Sequence, residues 1–232
     1  MNSELTNRPI NLADKGLSAM GTFLPQVYGW MTLGLFVTAV VAGLIGSNTQ
    51  LLYWLVLNQS ALMLMFIVEL VVVVALSGFV HKMNIFVAAG LFLFYATLNG
   101  IVLGVLFMLY TEASIFSTFL VTGGTFAVMA VYGMFTNADL SRFRNLLFMG
   151  LVGLVFALIV NVFLRSEPFS WVLTFLGLGI FMILTAYDTQ KIKRMAENGG
   201  YTPTLAIRGA LTLYLDFINI FIRLLQIFGR RK

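Results

Sequence analysis

Seven apolar runs divide this chain, each long enough to cross a lipid bilayer as a helix. A spanning helix needs about 20 mostly apolar residues at ~1.5 Å rise each. The runs cover about Phe23–Gly46, Ser60–Val80, Asn84–Tyr110, Ser114–Phe135, Leu146–Leu164, Phe169–Asp188 and Leu205–Phe228. Charged residues make up 10% of the 232 and hydrophobic ones 60%, whereas soluble domains carry about 25% charged residues. No soluble core of this length buries so much apolar surface, so the spacing predicts an all-α membrane protein. Residues 1–22 are polar and mixed in charge, without the apolar core of a signal peptide. They read as a retained cytoplasmic tail before a seven-helix domain over 23–232, with Pro25 in the first turn of the first span.

The loops between the runs predict the orientation. Arg8 and Lys15 precede the first span, and the loop after it, Ser47 to Gln59, has no charge. His81 and Lys82 follow the second span, and Glu112 alone follows the third. Arg142 and Arg144 follow the fourth, and Arg165 beside Glu167 follows the fifth. Lys191, Lys193, Arg194 and Arg208 surround the connection after the sixth. Basic loops alternate with neutral or acidic ones, which places the N-terminus in the cytoplasm. Arg230, Arg231 and Lys232 run against this bias, because a full seventh span carries them outside.

Composition also removes several function classes. The chain has no cysteine and one histidine. Thiolate chemistry, disulfides and a multi-histidine zinc or haem site are excluded, and no cofactor is expected. The net charge of +5 sits in short loops and is not a nucleic-acid signal. Gly100 and Gly104 form a small-xxx-small pair that suits close helix packing, with Gly150/Gly153 and Gly177/Gly179 as looser versions.

Acids within the apolar runs carry the functional signal, because an intramembrane carboxylate must be paired, wet or protonated. From helix rise, Asp188 lies roughly 28 Å down the sixth span and Asp216 roughly 16 Å into the seventh, one to two turns apart in height. If they touch, they cannot both be charged cheaply, and the pair titrates as a unit around one shared O–H···O proton. Ionised, such oxygens are hard ligands suited to calcium. A plainer reading has Asp188 ending its helix and facing Lys191 or Arg194. Glu69 stands in the middle of the wholly apolar second span, which predicts that it faces the interior as part of an ion path or as a structural hydrogen bond. Arg223, seven residues after Asp216, shares its helical face and either neutralises an acid or snorkels to the interface. Asn99 and Asn161 line a cavity or bond between helices.

Two motifs then identify a resemblance. Thr185-Ala-Tyr-Asp-Thr-Gln-Lys-Ile and Gly209-Ala-Leu-Thr-Leu-Tyr-Leu-Asp-Phe-Ile-Asn-Ile-Phe resemble the Bax inhibitor-1 family, also called the transmembrane Bax inhibitor motif family. Gln26-Val-Tyr-Gly-Trp-Met-Thr and Tyr110-Thr-Glu-Ala-Ser-Ile fit as well, and the likeness is strongest to bacterial inner-membrane members. The resemblance implies seven helices with the last one central, and a pH-sensitive calcium leak whose sensor is the pair Asp188 and Asp216. It implies a pore acid at Glu69, making Asp188, Asp216 and Glu69 the candidate calcium ligands. Arg223 and Asn99 join the ion path from their positions within the spans, although Arg223 is not expected from the family motif and a cation in the central helix weakens calcium passage. Some members carry an arginine latch near the end of the second helix, where this chain has His81 and Lys82. Calcium is then cargo and not a cofactor, and the partners are the bilayer, calcium and protons.

Two other functions compete. Some bacterial relatives are thought to modulate a membrane-bound protease, which makes the chain a binding regulator. An intramembrane aspartyl protease needs Tyr-Asp on one helix and Gly-x-Gly-Asp on the next. Tyr187-Asp188 fits the first, but Leu213-Tyr-Leu precedes Asp216 where glycines should stand. The chain is therefore not expected to be an enzyme.

Overall fold

The computed structural model describes the backbone of residues 12–198 and 202–232, and side chains from residue 21 onward. Among these residues the chain forms α1 (Leu12–Ser47), α2 (Thr49–Leu57), α3 (Gln59–Phe79), α4 (Ile85–Gly104), α5 (Leu106–Leu109), α6 (Glu112–Phe135), α7 (Arg144–Leu164), α8 (Glu167–Glu197) and α9 (Pro203–Phe228). Seven spans are long and apolar enough to cross a bilayer, with α4 and α5 together making one of them. Helix is the expected state, because hydrocarbon supplies no partner for an open backbone N–H or C=O.

Polar residues punctuate the apolar runs. Asn48, Asn84, Thr111, Ser166 and Thr202 each accept a hydrogen bond from a backbone N–H in the first turn of the helix they precede. This satisfies donors that would otherwise be orphaned at the helix start. Pro168 and Pro203 stand in the first turn of α8 and α9, where a missing N–H costs nothing.

Several boundaries differ from the sequence expectation. Helix α1 starts at Leu12, so Pro25 lies inside it and not in its first turn. Of the expected tail, residues 1–11 lie outside the described residues. Helix α8 continues to Glu197, so Asp188 does not end it. Both extensions carry polar residues, which a reading for apolar runs leaves out, yet the helical backbone continues through them. The uncharged connection after α1 holds a nine-residue helix, α2, instead of a loop. It buries Leu52 and Leu55 and exposes Tyr53, Trp54 and Leu57, as suits a helix lying at a membrane surface. The third span is broken at Val105.

Helix α9 is the centre of the bundle. It packs against α1, α3, α4, α6 and α8, and meets α7 through Leu154, which clusters with Ile220 and Leu224. In its most apolar stretch 72% of residues are buried, against 11% for α7 and at most 39% for any other span. The other spans turn large apolar side chains outward, Phe86 and Phe163 among them, as a lipid-facing surface requires. Glycine brings two pairs of spans together. A Cβ on Gly100 would come within 2.8 Å of the Thr38 carbonyl, and one on Gly104 within 2.6 Å of Ile45, so α4 can lie this close to α1 only without those side chains. Gly133 of α6 lies directly on the Ala186 carbonyl of α8. Of the looser pairs, Gly153 and Gly179 face open space and Gly150 makes only ordinary contact with Ile180, whereas a Cβ on Gly177 would come within 2.9 Å of Arg223 Nε.

Candidate functional site

The contact between α8 and α9 holds the two aspartates. Around Asp188 the helix is buried on all but one side, with Thr185, Ala186, Thr189, Gln190 and Ile192 all shielded. Asp188 is 7% exposed and Asp216 4%. Measured from the helix ends that flank residues 198–202, Asp188 lies about 14 Å in and Asp216 about 20 Å in, a difference of about one turn. Asp188 is the foremost charged neighbour of Asp216, and Lys191 the next. Their relation is electrostatic and not a direct bond. Asp188 Oδ1 faces Lys191 Nζ at 3.7 Å, while Asp216 Oδ2 is buried with no hydrogen-bond partner. The expected O–H···O bridge is not among the hydrogen bonds of the described residues: Asp188 turns an oxygen to Lys191, and Asp216 Oδ2 has no partner. The plainer reading of Asp188 holds in part: it faces Lys191, but from inside a continuing helix.

A second polar group lies on another side of α9. Glu69 of α3 is 8% exposed, and its Oε1 has no hydrogen-bond partner. Its charge acts on the phenols of Tyr95 and Tyr214. Asn99 Nδ2 donates to Tyr95 Oη at 3.2 Å. Tyr214 Oη and Thr38 Oγ1 are 2.7 Å apart, and the Thr38 hydroxyl also donates to the Ala96 carbonyl at 2.9 Å. Asn99, Tyr95, Tyr214 and Thr38 thus form one buried polar cluster over α1, α4 and α9, and Glu69 of α3 acts on its two phenols through charge without a hydrogen bond to either. Thr38, Tyr95 and Tyr214 were missed from sequence because a tyrosine or threonine in an apolar run is ordinary. The only available signal was that a buried phenol needs a partner.

Glu69 is not gathered with the aspartates. Among the described residues no three acidic or histidine side chains converge on one point. The expected calcium set of Asp188, Asp216 and Glu69 is therefore not assembled among the described residues. Arg223 neutralises no acid either, since none of the three ion pairs among the described residues includes it. It is buried over Gly177, with Nη1 donating to Gln226 Oε1 at 3.4 Å and Nε unpartnered. Asn161 donates to Ser170 Oγ at 2.6 Å, which ties α7 to α8.

The aspartate end of α8 is clasped to the connection between α6 and α7. Gln190 donates to the Ala138 carbonyl and accepts from Leu140 N, and Lys193 donates to the Met134 carbonyl. Arg194 pairs with Asp139 at 2.7 Å. The Ser141 and Arg194 bonds hold the exposed Asp139 carboxyl down at about 2. On the other flank, His81 Nε2 lies 3.5 Å from Arg208 Nη1, so the end of α3 meets the start of α9 without the latch arginine.

Residues 20–232 match the protein family described as Inhibitor of apoptosis-promoting Bax1. The chain is 45% identical over 220 residues to the inner membrane protein YbhL of Escherichia coli K12, covering 93% of this chain and 94% of that one. It is 39% identical over 214 residues to a Borreliella burgdorferi protein, covering 90% and 92%. A membrane protein of Streptococcus pyogenes is 36% identical over 222 residues, covering 94% and 95%.

Proposed function

The chain belongs to the Bax inhibitor-1 family, and from that premise we propose that it is a multi-pass inner-membrane protein that leaks cations, calcium preferred, in response to pH. The observation that carries this reading is the placement of Asp188 and Asp216 on adjacent antiparallel helices, both buried, with the Asp188 charge acting on Asp216. Two carboxylates so placed cannot both be ionised at low cost, so the pair holds one proton and titrates as a unit. Loss of that proton sets two charges against each other across the α8–α9 contact. Because α9 touches nearly every other span, a shift at this contact reaches the whole bundle. Glu69 and the polar cluster on which it acts would then supply oxygen ligands along the route of an ion released from its hydration shell.

The test is calcium flux into proteoliposomes over a pH series, with the intact chain and with Asp188→Asn, Asp216→Asn and Glu69→Gln. Either aspartate change should flatten the pH dependence, and Glu69→Gln should reduce flux at every pH. An unchanged pH profile in either aspartate variant refutes the sensor. Flux equal to that of empty vesicles at all pH values refutes the leak.

A further inference from the structure

Four basic residues stand at the end of the bundle remote from the aspartates: Arg165, Arg230, Arg231 and Lys232. Here α7 ends, α8 begins and α9 ends, around a basin of about 870 Å³. Arg165 and Arg231 both line it. We propose that this basin binds the headgroup of an anionic phospholipid, its phosphate held by Arg165 and Arg231.

The backbones that carry both arginines are held in place and not left as loose chain. Arg165 is the one non-glycine residue with positive φ among the described residues, at 50°. That conformation is costly for a residue with a Cβ, and it holds the residue at the lip where α7 stops. Arg231 lies in a tail that is stitched to the connection between α5 and α6. Thr111 N donates to the Arg230 carbonyl at 3.1 Å, and Lys232 N to the Leu109 carbonyl at 3.1 Å. Arg230 N donates to Ser114 Oγ at 2.8 Å, and Lys232 Nζ to the Phe107 carbonyl at 2.8 Å. These bonds use the residues on either side and leave the Arg231 guanidinium free of any ion pair.

The ligand class follows from the rest of the lining. None of the three ion pairs among the described residues includes Arg165 or Arg231, although Glu167 lines the same basin. The basin is therefore net cationic, and each guanidinium lining it is a fork suited to phosphate oxygens. The Glu167 carboxylate offers oxygens to a hydroxyl-bearing headgroup such as glycerol, while Gln226 Oε1 is already taken by Thr174 and Arg223. The rim is apolar: Val162 is 70% exposed and Trp171 44%. A soluble anion has no use for such a rim, whereas acyl chains do, and tryptophan at this level is the usual mark of a membrane interface. Cations on the face where charge bias disfavours them need a reason to be there, and a lipid phosphate supplies one.

Trp171 is a built-in reporter, stacked on Phe175 with ring centroids 6.0 Å apart. The chain has three tryptophans, so Trp30→Phe with Trp54→Phe leaves it alone. The full chain is reconstituted in phosphatidylcholine vesicles containing increasing brominated phosphatidylglycerol or brominated phosphatidylcholine, and Trp171 quenching is followed. Half-quenching is expected at about tenfold less of the anionic lipid, as two charge-assisted contacts imply. Arg165→Gln with Arg231→Gln should bring the two curves together. Equal quenching by both lipids in the parent chain overturns the proposal, whether or not the variants fold. Complete relief of quenching by millimolar inorganic phosphate would assign the basin to free phosphate and overturn the lipid.

Discussion

Two buried carboxyl oxygens, Asp216 Oδ2 and Glu69 Oε1, have no hydrogen-bond partner in this fold. Leaving such a group unsatisfied costs about 1–3 kcal/mol, a cost that an ordinary structural residue would not carry. Asp139 is the contrast. It is exposed, bonded to Ser141 and Arg194, and held at about 2 against an ordinary 3.8. A depressed carboxyl value means that the stabilisation is complete above about 3.8 and lost as pH falls through about 2. The clasp on the end of α8 is thus constant through the neutral range. Asp139→Asn removes a contribution that is constant above about pH 4, so it is expected to leave the midpoint of the calcium-flux profile near neutrality in place, with any change in amplitude uniform there and fading in acid as Asp139 itself protonates. A midpoint moved by more than about half a unit near neutrality would transfer the sensing role from the aspartate pair to this clasp.

At the scale of elements, glycine spacing decides which helices touch closely. Gly100→Ala forces a methyl group against the Thr38 carbonyl and Val41, and overpacking of this kind costs about 1–3 kcal/mol. Gly153 faces open space on α7, so Gly153→Ala should be neutral or stabilise by up to about 1 kcal/mol through helix propensity. Thermal unfolding in one detergent compares the two, and equal effects would mean that the α1–α4 contact is not close in solution. The small-xxx-small pattern identified Gly100 and Gly104 from sequence, but not which of the other glycines met a neighbour. Spacing along one helix says nothing of how far the next helix stands. Hydropathy likewise located all seven spans yet missed α2, the break at Val105 and the polar ends of α1 and α8. It measures affinity for hydrocarbon, and those segments lie at its edge or take their form from packing.

For the whole molecule, charge alternation predicts that the connection between α6 and α7 faces the cytoplasm and the one between α7 and α8 faces outward. The chain has no cysteine, so single cysteines can test this without background. Ser141→Cys should be shielded from a membrane-impermeant maleimide in intact cells and labelled after lysis, whereas Glu167→Cys should label in both. The reverse pattern inverts the orientation. It would place the basic basin on the cytoplasmic side without changing its geometry.

The order of apolar and charged residues was enough to determine the membrane class, the number of spans, the expected orientation and the two helices that carry the aspartates. Each of these depends on how one segment partitions between water and lipid, which a segment's own composition decides. The tertiary structure alone decided that Asp188 turns to Lys191 while Asp216 Oδ2 stays unpartnered, that Glu69 is not gathered with the aspartates, and that Arg223 reaches Gln226 and no acid. Those are distances between helices. They follow from rotation and height set by close packing around α9, and no single helix encodes its own angle to a neighbour.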